Sequence, residues 1–372
     1  MKKSDTRLSN YELGRRDFVK IAAGGAIMAA LPAGSAAQTK EKGVDWWDAH
    51  PGKEGLGKPA AIDCHAHWSP EAYNKVLADF GHPLSNTNPL NSDLEKRVNW
   101  MDEHEVQMHC LTLSGAMPWQ WSSAEQGAHL AEVINDVGIE ACKKYPSRFV
   151  LGAELPIRDP QLALKELNRV AGKPGVRAVH LPDSMERHDY IIDPNFAPVL
   201  ARIEELGYPI VFHQMDGEAN SYGGNRLMGK INLSAGLDAP IDHTVLATKL
   251  MMAGTADKYP KLEMILPHAG GAFPYLAGRI DHFFYHYNGP QVTLAHPFRD
   301  YLRRFYYDYL IYYPEAFQFL VTMVGTDRIV VGTDIFAAQD VQYPSEVLDQ
   351  FKLPAAERDR ILKGNAMKLF RL

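Results

Sequence analysis

Eight short apolar runs, each followed by a longer polar or helical stretch, recur from residue 61 of this 372-residue chain, and no other feature narrows its fold so far. The runs cover residues 61–65, 107–113, 149–155, 176–181, 209–213, 263–267, 305–310 and 328–332. Between them, apolar residues return at helical spacing over 93–105, 123–144, 160–171, 195–206 and 242–258. Asp159-Pro160 and Asp193-Pro194 read as helix caps followed by a first-turn proline, and Tyr208-Pro209 and Tyr259-Pro260 fall just past helix ends. Strands alternating with helices build a parallel sheet, and eight such units close it into a barrel. An open doubly wound sheet competes with this reading. Its nucleotide-binding versions carry a glycine-rich turn after the first strand, where this chain has His65-Ala66-His67. The expectation is a single (β/α)8 TIM barrel over residues 61–372.

Before residue 61 the chain reads differently. Gly14-Arg15-Arg16-Asp17-Phe18-Val19-Lys20 precedes a run rich in alanine and glycine, and no charge falls between Lys20 and Lys40. Small residues near Ser35-Ala36-Ala37 offer a cleavage site. The segment resembles a twin-arginine export signal over residues 1–37, which implies a periplasmic or otherwise exported mature chain. The apolar run is too short to cross a bilayer comfortably, so no transmembrane span is expected in the mature chain. Residues 38–60, polar, Gly-rich and Pro-bounded, read as a tether or N-terminal extension. The signal carries six Lys/Arg against three Asp/Glu, so of the net charge of −6 the remaining chain carries −9. An acidic mature domain without a basic stripe argues against nucleic acid as a partner. Cys64, Cys110 and Cys142 are odd in number and unpaired in spacing, which points to buried thiols rather than a disulfide framework.

In a barrel of this kind the reactive groups gather at the C-terminal ends of the strands. Those ends hold a coherent set: His65 and His67 on the first strand, His213 on the fifth, His268 after the sixth and Asp334 after the eighth. Alternation along a strand puts residues 65 and 67 on one face, where they can grip one ion together. Three imidazoles and a carboxylate from His65, His67, His213 and Asp334 suit a borderline divalent ion such as Zn²⁺. Asp63 opens the same motif and reads as a holder of backbone or neighbouring groups.

The blocks Ile62-Asp63-Cys64-His65-Ala66-His67, Phe212-His213, Pro267-His268-Ala269-Gly270-Gly271-Ala272-Phe273-Pro274-Tyr275-Leu276-Ala277-Gly278-Arg279-Ile280 and Gly332-Thr333-Asp334 resemble the aminocarboxymuconate-semialdehyde decarboxylase family, a branch of the amidohydrolase superfamily. The likeness runs from about residue 61 to the C-terminus, and its strand-six block is the most specific. It implies one divalent metal on His65, His67, His213 and Asp334. His268 would then be a proton-transfer group beside the ion rather than a ligand. Arg279, eleven residues past His268, falls where the family presents an arginine to a substrate carboxylate in a partner subunit, so the resemblance also implies a homodimer. A helix-surface ion pair is the plainer reading of Arg279. Where other branches place a metal-bridging lysine on strand four, this chain has His180, which favours a single ion and leaves His180 open between outer support, substrate contact and packing.

The chain departs from the family's name-giving enzyme where substrate would be read. Residues 68–96 contain no arginine, His213 is followed by Gln214-Met215, and Asp334 by Ile335-Phe336. Arg226 and Lys230, after strand five, are possible replacements for the missing arginine, although solvated loop charge is the plainer reading. The first functional expectation is metal-dependent, cofactor-free decarboxylation of a small carboxylic acid. A hydrolase acting on a lactone, ester or amide is the alternative, because the same ligand set serves both reactions. A non-catalytic exported metal or solute binder comes third, and a proton-transfer histidine speaks against it.

Overall fold

Each of the eight apolar runs forms a strand. The computed structural model of the chain describes residues 61–84, 88–217, 219–227, 232–287, 293–335 and 343–372. The expected export signal and tether, together with Lys230 and Phe336, lie outside the described residues. The strands are β1 Ala61–His67, β2 Val106–Thr112, β3 Phe149–Glu154, β4 Val176–Pro182, β5 Ile210–His213, β6 Met264–Leu266, β7 Phe305–Asp308 and β8 Ile329–Val330. They pair in parallel in sequence order. Beyond β8 the chain joins β1: Cys64 N–H donates to the Val331 carbonyl at 2.9 Å, and Asp334 N–H to the His65 carbonyl at 3.0 Å. The architecture is the (β/α)8 TIM barrel. β5 and β6 are shorter than the apolar runs because each is flanked by a proline (Pro209 or Pro267) that has no N–H for the ladder.

The principal helices are α1 Glu71–Asp79, α2 Leu94–Glu103, α3 Ala124–Lys144, α4 Pro160–Val170, α5 Ala197–Leu206, α6 Ala239–Met252, α7 Phe273–Tyr287 and α8 Pro314–Val324. Their starts follow capping chemistry. Ser123 and Gln126 bond reciprocally ahead of α3, and the Asp159 side chain accepts from the N–H groups of Gln161 and Leu162 ahead of Pro160. The helix expected over 242–258 instead begins at Ala239 and stops before Gly254, whose φ of 71° turns the chain into the short helix Thr255–Lys258. None of the helices among the described residues is long and apolar enough to cross a membrane.

Side chains from all eight strands fill the barrel: Ile62, Cys64, Met108, Cys110, Val150, Ala178, Val211, Ile265, Tyr306 and Val330. Leu369 and Phe370 of the C-terminal helix Asn365–Phe370 join this cluster. The cysteines are free and buried. Because Ile62 and Cys64 face inward, strict alternation would turn His65 and His67 out of the barrel. A bulge prevents this. Asp63 pairs with His109 but Ala66 with Leu111, so β1 carries one residue more than β2 across this span, and the extra residue re-aims both histidines.

Candidate metal centre at the barrel mouth

The bulge delivers two imidazoles to one point. His65 Nε2 lies 3.1 Å from His67 Nε2, and His67 Nε2 lies 3.0 Å from Asp334 Oδ1. His213, at the end of β5, brings its ring centroid to 4.6 Å from that of His67 and 5.1 Å from that of His65. Donor atoms of His65, His213, His268 and Asp334 all fall within 4.8 Å of one another. The structure therefore brings His65, His67, His213, His268 and Asp334 together from four separate strand ends.

The outward nitrogens decide what the inward ones can do. His67 Nδ1 lies 2.9 Å from the Leu113 carbonyl, and His213 Nδ1 lies 2.8 Å from the Gln214 carbonyl. A carbonyl only accepts, so each Nδ1 carries the proton and each Nε2 presents a lone pair. His65 Nδ1 makes the equivalent bond to Asp308 Oδ2 at 2.9 Å. Nε2 of His65 and Nε2 of His67 thus face each other at 3.1 Å, a contact that either a shared proton or a cation on both lone pairs satisfies. His213 Nε2 is buried with no hydrogen-bond partner. Three fixed lone pairs and a carboxylate converging on one point are the donor set of a metal ion, with the outer bonds orienting each ring.

Electrostatics agree for two of the three rings; burial would lower His65 as well, but Asp334 and Asp308 raise it. Burial pushes His67 down to about 4, and burial together with the neighbouring His67 and His65 pushes His213 well below its usual range, which keeps both rings neutral. Burial would raise Asp334, but the charges and hydrogen bonds of His65, His268 and His67 outweigh it and hold the carboxylate ionised. Neutral imidazole and ionised carboxylate are the forms that bind metal.

His268 is held differently. Its Nε2 faces Asp334 Oδ2 at 3.4 Å, while its Nδ1 lies 2.8 Å from Nε2 of His243, on α6. His243 Nδ1 in turn bonds to Asp183 Oδ2, just past β4. An imidazole partner can donate or accept, so the proton on His268 is not fixed as it is on the other three rings. The backbone here is unusual: His268, Ala269 and Asp334 have φ of 49°, 53° and 52°. Such non-glycine conformations cost about 1–3 kcal/mol each and gather at functional sites. Asp308 supports the first two, its carboxylate accepting from the N–H groups of His268 (3.0 Å) and Ala269 (2.9 Å).

Asp308, His243 and Asp183 were not foreseen from the sequence. Asp308 could have been, because it ends β7 and so obeys the strand-end rule that located the others. Asp63 has the backbone role expected of it. It accepts from His65 N–H at 2.9 Å and from the Thr333 hydroxyl at 2.5 Å, across the closure of the barrel. His180 is buried in the barrel with Nδ1 at 2.7 Å from Glu154 Oε1, an inner support outside the cavity wall. Arg279 is exposed, with its guanidinium 4.5 Å from the centre of the Phe283 ring, and does not line this chain's cavity; neither does Arg226.

The site opens into a cavity of about 840 Å³. Trp68, Leu84, Met215, Leu310 and Ile311 supply apolar wall, while Trp119 and Tyr222 lie outside it. Among the described residues no lysine or arginine lines it, but Asp216 and Asp242 do. Burial raises both, and raises Asp242 to about 8, which lessens its negative charge at neutral pH. Gly115 makes room for Asp216: a Cβ there would come within 2.3 Å of its carboxylate oxygen.

Residues 62–372 match a family model described as amidohydrolase. The chain belongs to the amidohydrolase family. Among relatives of this amidohydrolase, the 2-amino-3-carboxymuconate-6-semialdehyde decarboxylase of Dictyostelium discoideum is 23% identical over 283 residues, 75% of this chain and 77% of the relative. The gamma-resorcylate decarboxylase of Rhizobium sp. is 27% identical over 300 residues, 75% and 87% of the two chains. Among solved structures, a dihydroxybenzoic acid decarboxylase from Polaromonas sp., with bound manganese and the inhibitor 2-nitroresorcinol, superposes with a TM-score of 0.70 at 25% identity, covering 84% of this chain and 97% of that one. The apo IDCase of Metarhizium anisopliae reaches 0.72 at 21% identity, covering 84% and 97%, and shares the fold.

Proposed function

We propose that this amidohydrolase is a metal-dependent, cofactor-free carboxy-lyase acting on a small aromatic or unsaturated carboxylic acid. The observation that carries the reading is the difference between two kinds of histidine. His67 and His213 have their outer nitrogens on backbone carbonyls and His65 on Asp308, which aims each inner nitrogen at one shared point, as suits ligands. His268 has another imidazole behind it and can hold or release a proton at Nε2. In this reading His65, His67, His213 and Asp334 hold one divalent ion, and three nitrogens with one oxygen favour zinc. When bound, the ion supplies Lewis acidity that draws electron density from the substrate's carboxylate region. His268 then delivers a proton from Nε2 to the ring carbon as the carbon–carboxylate bond breaks. The electron pair of that bond becomes the new C–H bond, and carbon dioxide leaves. Trp68 and the aliphatic wall hold the ring, and the weakened charge of Asp242 lessens the repulsion an anionic substrate meets.

Decarboxylase relatives support the reaction class, and with no lysine or arginine among the described lining residues the carboxylate is left to the ion and its histidines. We further propose that exposed Arg279 reaches the substrate of a second copy in a homodimer, and that residues 1–37 export the enzyme. A reporter fused behind residues 1–40 should reach the periplasm, and Arg15→Lys with Arg16→Lys should retain it in the cytoplasm. The reaction itself is tested by offering the zinc-loaded and manganese-loaded protein a panel of hydroxybenzoates and lactones. Carbon dioxide release is the expected result. Base consumption without carbon dioxide would make it a hydrolase instead.

A further inference from the structure

Behind His268 lies a buried side-chain chain that no ligand role explains. We propose that His243 and Asp183 are positioning residues that set the orientation of His268, forming an Asp183–His243–His268 relay beside the metal centre. Three observations carry it. The two hydrogen bonds are continuous, from Asp183 Oδ2 to His243 Nδ1 and from His243 Nε2 to His268 Nδ1 at 2.8 Å. Their members are shut away from water, with His243 fully buried and Asp183 only 2% exposed, while His268 keeps a face toward the cavity. The third is that the fold goes to some length to place His243. Gly271, with φ of 62°, lies so close to the first turn of α6 that a Cβ would meet the Pro240 carbonyl oxygen at 1.9 Å. The Thr244 hydroxyl then accepts from Ala272 N–H at 2.9 Å, fastening α6 to the turn that carries His268.

The chain works in one sense when His268 is unprotonated at Nε2. Asp183 accepts from His243 Nδ1–H, His243 Nε2 accepts from His268 Nδ1–H, and the remaining lone pair points into the site. Adding a proton at Nε2 leaves the Nδ1–H donating to His243, so the ring keeps its aim whether or not it carries the extra proton. Giving that proton up breaks one N–H bond, makes the substrate's C–H bond and returns the ring to its neutral form. A carboxylate behind a histidine raises proton-transfer efficiency by this geometry, and here a second imidazole extends the reach.

Its rate arm rests on the decarboxylase reading; its spectroscopic arm does not. In zinc-loaded protein, proton NMR in water should show a downfield, slowly exchanging imidazole N–H from the His243–His268 bond, absent from His243→Phe. If that resonance is missing from the wild type, or survives in His243→Phe, the relay is wrong whatever the reaction. In kinetics, His243→Phe should lower kcat by ~10²-fold or more with KM within a few-fold and the metal retained. His243→Gln, which can bridge Asp183 and His268 with its amide, should recover at least about tenfold of that loss. Asp183→Asn keeps the shape but weakens the hydrogen bond that orients His243, and should lose rate without losing metal. Equal rates in wild type and His243→Phe would overturn the relay, as would a rate loss that follows metal loss alone.

Discussion

Two walls of the barrel mouth treat the same side chain in opposite ways. On the β1 and β5 side, the rings are locked to backbone carbonyls or to Asp308. On the β4 and β6 side, His268 leans on His243, which leans in turn on Asp183. The lesson is that a buried histidine is defined by its outward partner as much as by its residue type. A carbonyl fixes the ring's proton at Nδ1, and an imidazole passes that choice to the group behind it.

The contrast can be broken most directly by removing one ring from each wall. His65→Ala and Asp334→Ala should release the ion and abolish turnover, whereas His268→Ala should keep about one ion per chain and lose ~10²–10⁴-fold in kcat. Elemental analysis beside steady-state kinetics decides it, and metal loss from His268→Ala would merge the two walls into one ligand set. A sharper cut is Asp308→Asn, because Asp308 serves both sides, orienting His65 and bracing the turn at His268. It should weaken metal affinity ~10–100-fold, as loss of an outer partner does, and competition with a chelator measures it. The smallest effect lies away from the mouth and serves as the control. Glu105, bonded to the Ser345 hydroxyl, is pushed up to about 7 by burial. Its folded form holds a proton that the unfolded chain has released, so stability should fall as pH rises from about 4.5 to about 7. Glu105→Gln should lose that slope and gain about 1–2 kcal/mol at pH 8, discounted for partial exposure, with turnover unchanged. Thermal melts across pH read it.

The sequence analysis located the metal wall and missed most of the proton wall, for physical reasons. His65, His67, His213 and Asp334 stand at strand ends, where hydrophobic rhythm marks the boundary and the barrel dictates convergence. Even there the reading passed over a device. The period-two reading put His65 and His67 on one face, but a bulge that leaves no mark in the pattern aims that face inward. Asp308 was concealed by Phe305, Tyr306, Tyr307, Tyr309 and Leu310, an aromatic run that reads straight through it as strand. His243 is on a helix that the pattern starts three residues late, and Asp183 lies in a loop, so nothing local places either near His268. Their pairing exists only in three dimensions.

The closure of the barrel has one more consequence, for the order of events at the ribosome. His65 leaves the exit tunnel among the first residues of the domain and Asp334 among the last, and the hydrogen bond from Asp334 N–H to the His65 carbonyl is part of the seam itself. An ion held by His65, His67, His213 and Asp334 together would therefore meet its full donor set only once the last strand has closed the barrel.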